Sequence, residues 1–110
     1  MSGGAGVRDQ PLPAENGAAV EIEFDPAKSH RNRVERGLPF ELVVEADWSA
    51  ALTVVDNRQD YGETRFVAYV PIERRLHVVC YTMRGAAFRI ISFRKANSRE
   101  MEQYAQATDR

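Results

Sequence analysis

Cationic side chains on regular elements are the main chemical resource of this chain. In TRFVAYV, Arg65 alternates with Val67 and Tyr69; in RIISFRK, Arg94 shares its face with Ser92 and Ile90, and Lys95 follows it. An arginine held on a sheet can fork a phosphate through two parallel N–H groups, which the point charge of a lysine does less specifically. Lys28, Asn32 and Glu35 are spaced i, i+4 and i+7, so a helix would align a cation, an amide and a carboxylate on one face. Metal-free cleavage of RNA needs a base for the 2′-hydroxyl, an acid for the departing 5′-oxygen, and cations for the charge that builds on phosphate. Glu41 or Lys28 could exchange the protons, and Arg65 with Arg94 could stabilise the phosphorane. The bland alternative is a set of solvated faces whose arginines pair with the acids of residues 41–63.

Other chemistries find no support. His30 and His77 lie 47 residues apart without acidic or thiol partners at ligand spacing, so no metal site or cofactor is expected. His77 alternates with Val79 and Tyr81, the pattern of a structural strand histidine. Ser92 sits inside a strand rather than on a nucleophile elbow, and phosphate-loop and dinucleotide signatures are absent. Cys80, the single cysteine, has no partner for an intramolecular disulfide, which fits a reducing compartment.

The elements that must position these groups follow from periodicity and punctuation. Residues 1–19 are rich in Gly, Ala and Pro and are expected to form a flexible leader, with the folded domain spanning 20–110. VEIEF alternates as a half-buried strand does. Asp25 followed by Pro26 predicts a helix start, and Gly37 its stop near Arg36. A second helix is predicted from Pro39, with Phe40, Val43, Val44 and Trp48 as its apolar stripe. Strands are predicted at 51–55, 64–70, 75–82 and 87–93, with short connections suited to hairpins and with Ile91 and Phe93 facing the core. Asn97 with Glu100 three residues later predicts a capping box and a final helix to about Ala107. The expectation is a single α+β domain: an N-terminal strand, two helices, an antiparallel four-stranded sheet and a C-terminal helix.

Composition bounds the class. With 44% hydrophobic and 28% charged residues in 110, one soluble globular core is expected, without a membrane span or secretory signal, and therefore a cytoplasmic location. The net charge of −1 hides a sorted distribution: residues 84–99 carry Arg84, Arg89, Arg94, Lys95 and Arg99 without an acid, whereas 41–63 carry six acids against Arg58. A basic pole suits a polyanion, and an acidic pole suits a basic partner or solubility.

Several segments together carry a family resemblance. FDPAK with the following Asn32, Gly37 and Phe40, then GETRFVAYV at 62–70, and LHVVCYTMRGAAFRIISFRKANSREMEQY at 76–104, resemble the BrnT family of type II toxins over about residues 20–106. The resemblance implies a small ribonuclease of RelE-like fold, neutralised by a BrnA-like antitoxin that itself carries any contact with operator DNA. Lys28, Arg65, and Arg94 with Lys95 stand at positions of the family's motifs, and Glu100 and Tyr104 match the opening of the final helix; on this reading Lys28, Arg65 and Arg94 are expected to act in catalysis, with Arg89, Lys95 and Arg99 holding RNA. Two departures stand out. Phe24 replaces the usual Trp, and Glu35-Arg36-Gly37 replaces the usual Lys-His-Gly; Arg36 cannot take the place of a proton-transferring His.

Three functions are therefore in competition. The first is a metal-independent endoribonuclease toxin. The second is a catalytically inactive toxin fold that binds the antitoxin and serves as operon co-repressor, which Arg36 favours. The third is a stand-alone RNA-binding domain with steep salt dependence and no need for an antitoxin.

Overall fold

The computed structural model describes residues 21–109; the leader expected at 1–19 lies outside them. The chain runs through β1 (Ile22–Glu23), α1 (Pro26–Arg36), two 3-10 segments (Phe40–Glu45 and Trp48–Ala50), β2 (Leu52–Val55), β3 (Arg65–Ile72), β4 (Arg75–Arg84), β5 (Ala87–Lys95) and α2 (Ser98–Thr108). The sheet has five strands in the order β1-β5-β4-β3-β2, and β1 lies parallel to β5. The sheet is therefore mixed, which corrects the expected antiparallel four. Strands β2 to β5 do form the expected meander, but the short N-terminal strand joins its far edge through Ile22 and Glu23 opposite Phe88 and Arg89.

Local chemistry fixes both α-helices where it was expected to. The Asp25 carboxylate accepts from the Ala27 N–H at 2.9 Å ahead of Pro26, and Gly37 closes α1 at φ 72°, its N–H donating to Arg33 O. At α2, Asn97 Oδ1 accepts from Glu100 N at 2.8 Å while Glu100 Oε1 accepts from Asn97 N at 2.9 Å.

The predicted second helix is instead two 3-10 turns. With three residues per turn, Phe40, Val43 and Ala46 align on the inner side. Val44, which a 3.6-residue period would place inside, is 46% exposed. Trp48 still enters the core and its indole N–H donates to Val43 O.

That segment covers one face of the sheet. Tyr81 is the centre of the core beneath it, with ring centroids 5.3 Å from Phe66, 5.2 Å from Phe88 and 6.0 Å from Trp48. Fully burying such rings stabilises by about 2 kcal/mol or more each. On the opposite face, α2 covers only one end, where Met101 and Tyr104 pack on Leu76, Val78 and Ala96. Tyr104 also donates to Ala50 O at 2.7 Å, tying α2 to the end of the second 3-10 turn. Among the described residues no other element packs on the rest of that face.

A β-bulge decides which side chains it presents. Along β4 and β5, Cys80 pairs with Ser92 but Tyr81 pairs with Ile90, so Ile91 is the extra residue. Phe93, 1% exposed, enters the core as expected, but its companion is Ile90, 3% exposed, rather than the expected Ile91. Arg89, Ser92 and Arg94 fall opposite Thr82, Cys80 and Val78, three alternate residues of β4 on one face. Arg89 and Arg94 are five residues apart and would face opposite ways in a regular strand.

Candidate active site

The open face forms a cleft of about 410 Å³. Val67, Tyr69, Val78 and Cys80 make its floor; Val54, Asp56 and Arg58 stand on the β2 side, and Ser92, Arg94 and Glu100 on the β5 side. Apolar groups thus lie between two charged rims.

Arg94 is held by Glu100 through two hydrogen bonds, Nη1 to Oε1 at 2.9 Å and Nη2 to Oε2 at 2.8 Å. The same carboxylate caps α2, so one residue fixes both the helix start and the guanidinium. These bonds raise Arg94 above its ordinary value and hold Glu100 down at about 2.

Arg65 is positioned differently. Its Nε donates to Glu63 Oε2 at 3.2 Å, and its guanidinium carbon lies 4.1 Å from the centre of the Tyr61 ring. Nη1 and Nη2 make no hydrogen bond among the described residues, which leaves the edge that forks a phosphate available. Opposite Arg65 on β4 is Thr82, and beyond Thr82 on β5 is Arg89, bound to Glu23 at 3.2 Å.

Lys28 is half-buried on α1, whose Lys28–Asn32–Glu35 face lines a groove with Ile91 and Ser92 of β5. Asn32 sets that approach by donating to Leu38 O at 2.8 Å and Phe93 O at 2.9 Å, so the amide in the expected row is structural. Burial pushes the Cys80 thiol up, Asp56 adds to this, and Arg65, Arg58 and Lys28 oppose it. Arg65 stands at the end of the open face, two positions along β3 from Val67 of the cleft floor, whereas Lys28 lines the separate groove along α1.

Arg94 is set apart from them. It lies two strands and four β4 positions from Arg65, roughly 16 Å between Cα atoms at ordinary sheet spacings, a distance that suits different phosphates of one strand. Lys95 pairs with His77 and points to the opposite face by strand alternation. Arg99 is exposed in the first turn of α2.

The remaining candidates for proton transfer are elsewhere. Glu41 accepts from Ser29 Oγ at 3.0 Å and borders a separate hollow with Phe24, His30 and Arg33. His77 is buried against Phe93 with Nδ1 on Arg75 O, and burial pushes its imidazole down. The acidic stretch 41–63 is also not one surface, because Asp56 and Glu63 lie beside cleft arginines while Glu41 lies by α1. Among the described residues, no group of three or more His, Cys, Asp or Glu side chains is placed to hold a metal ion.

The sequence reading passed over Asp56, Arg58, Tyr61 and Tyr69. The Asp-x-Arg spacing at the end of β2 is the one local signal for the first two, and it is common in loops.

A mixed α+β sheet with one covered face and one arginine-rimmed open face is thus the class of protein that fold and site define. Within that class the chain belongs to the BrnT family, ribonuclease toxins of type II toxin-antitoxin systems, whose family model matches residues 24–100. An RNA substrate and an antitoxin protein partner are what that family implies. No curated protein and no solved structure gives a significant match. Among the described residues no helix is long and apolar enough to cross a membrane.

Proposed function

We propose that this chain is a cytoplasmic, metal-independent endoribonuclease toxin of RelE-like descent, held inactive by a BrnA-like antitoxin. The observation that carries the reading is Arg65, braced by Glu63 and Tyr61 with its Nη1/Nη2 edge open on the sheet face that also carries Arg89 and Arg94. In the reaction the 2′-oxygen attacks the adjacent phosphorus and loses its proton, the P–O5′ bond breaks, and O5′ gains a proton. A 2′,3′-cyclic phosphate and a 5′-hydroxyl result. Arg65 stabilises charge on the non-bridging oxygens at one end of the cleft and Arg94 holds phosphate at the other, while Lys28 serves proton transfer or phosphate binding. Arg89 extends the cationic row beside Arg65; Lys95 and Arg99 hold RNA only where it wraps the end of the sheet near α2.

Induced expression in a bacterial host, with and without an antitoxin gene, followed by total-RNA integrity, tests this. Growth arrest with RNA degradation that the antitoxin reverses is the expected result, and Arg65→Ala or Arg94→Ala should relieve it in a folded protein. Continued toxicity from a folded Arg65→Ala variant would refute the assignment.

One observation favours the inactive, antitoxin-binding alternative. Both carboxylates of the cleft are occupied, Asp56 by Arg58 and Tyr61, Glu100 by Arg94 and the α2 cap, so neither is a ready base near neutral pH. Activity gained by Arg36→His in an otherwise inert protein would support that reading.

A further inference from the structure

The segment between β2 and β3 holds a guanidinium to which the family resemblance assigned nothing. Arg58 is 78% exposed at its side chain, yet it is not loose. The Asp56 carboxylate, whose side chain is 2% exposed, accepts from Arg58 Nε and Nη2 at 2.8 Å each and from Arg58 N at 3.2 Å. It also accepts from Tyr61 Oη at 3.0 Å. The Tyr61 ring is the surface against which the Arg65 guanidinium rests. A single buried carboxylate therefore orients one arginine directly and a second through an aromatic ring.

The place of Arg58 matters as much as its bonding. It stands on the β2 rim, facing Arg94 on the β5 rim with Val67, Tyr69, Val78 and Cys80 between them. Arg94 is raised chiefly by Glu100, and the charge of Arg58 acts on it in the opposite sense; Arg58 also acts on Cys80 alongside Arg65 and Lys28. Asp56 N donates to Arg65 O at 2.8 Å, so the turn that carries Arg58 starts level with Arg65, while the Arg58 side chain lines the cleft on the side opposite Arg94. Nη1 is engaged with no group among the described residues, so an N–H pair on its outer edge remains for an anion.

We infer that Arg58 is a phosphate-binding residue for RNA on the β2 rim of the cleft, across from Arg94, and that Asp56 is the positioning residue for both Arg58 and, through Tyr61, Arg65. The inference rests on the ribonuclease reading and extends it to a third guanidinium, on the β2 side of the same sheet face.

The test uses the full chain, a short RNA carrying 2′-O-methyl groups, which cannot be cleaved, and the matching cleavable RNA. Arg58→Ala should weaken binding of the uncleavable strand about tenfold at low salt, equally across sequences, and reduce the slope of log K against log salt by about one. Arg58→Lys should keep the slope. Tyr61→Phe, which loses the bond to Asp56 but keeps the ring, and Asp56→Asn should lower kcat on the cleavable RNA. Arg58→Ala should act mainly on KM. That split is not expected of a residue that merely supports the fold, and circular dichroism confirms folding of each variant. An unchanged salt slope in Arg58→Ala overturns the phosphate role, and an unchanged kcat in folded Tyr61→Phe and Asp56→Asn overturns the positioning role. A wild-type protein that neither binds nor cleaves either RNA overturns the ribonuclease reading itself, a result distinct from both.

Discussion

Glu100→Gln separates two duties that the wild-type carboxylate combines. Glutamine at the third helical position can still return a side-chain oxygen to Asn97 N, so the cap survives, whereas the ion pair with Arg94 does not. Glu100 is held at about 2 against an ordinary 4.5, chiefly by Arg94. Converted in full, that difference is about 3.4 kcal/mol. The guanidinium side chain is 41% exposed, so solvent screens the pair and about 1–2 kcal/mol is the expected contribution. Because the folded-state value is depressed, this stability is fully present above the unfolded value of 4.5 and is lost as pH falls towards 2. Thermal unfolding followed by circular dichroism should show Glu100→Gln melting roughly 5–10 °C below wild type at pH 7. The gap should narrow steadily below pH 4.5 and close near pH 2. A gap that is the same at pH 7 and pH 2.5 would show that the substitution acts through packing or the cap, and would refute the ion-pair account. The freed Arg94 should also bind an uncleavable RNA more tightly than the wild type does, in a filter or anisotropy assay at low salt.

Other perturbations follow from the same geometry. Asn32→Leu leaves Leu38 O and Phe93 O without their shared donor and should cost about 1–3 kcal/mol by urea denaturation. The β3–β4 hairpin turns on Glu73 and Arg74 at φ 51° and 69°, a conformation suited to Asn-Gly, so the double change Glu73→Asn and Arg74→Gly should raise the melting temperature by several degrees. Tyr81→Ala removes the ring shared by Phe66, Phe88 and Trp48 and should destabilise by about 3–5 kcal/mol, as read by chemical denaturation.

Much of the fold was legible because it rests on local chemistry. Asp25-Pro26, Gly37 and the Asn97–Glu100 pair mark helix ends by satisfying particular backbone groups, and each does so in the structure. The meander was legible in alternation and short connections. What escaped depends on longer range or on ambiguous residues. Nothing in VEIEF indicates that its partner is β5 or that it runs parallel, since that pairing is settled across more than sixty residues of chain. The stripe Phe40, Val43, Val44 and Trp48 fits a 3.6-residue period by sequence, and only packing on the sheet selects the tighter turn. Ile90 and Ile91 are the same residue, so alternation cannot say which enters the core. Lys28, Arg65 and Arg94 were visible as isolated cations, but the carboxylates and the ring that orient them come from other elements or from turn geometry.

The bulge at Ile91 links the fold to the site. It places Arg89 with Ser92 and Arg94 on one face while leaving Ile90 and Phe93 in the core. The carboxylates then trade net field for orientation. Asp56, Glu63 and Glu100 offset much of the charge of Arg58, Arg65 and Arg94, which weakens long-range attraction of a polyanion. Each pairing also fixes a flexible side chain before any ligand arrives, so less rotamer freedom is lost on binding. A cleft built this way discriminates by where its N–H edges point rather than by how positive it is. That accounts for a protein with a net charge of −1 whose candidate chemistry is directed at phosphate.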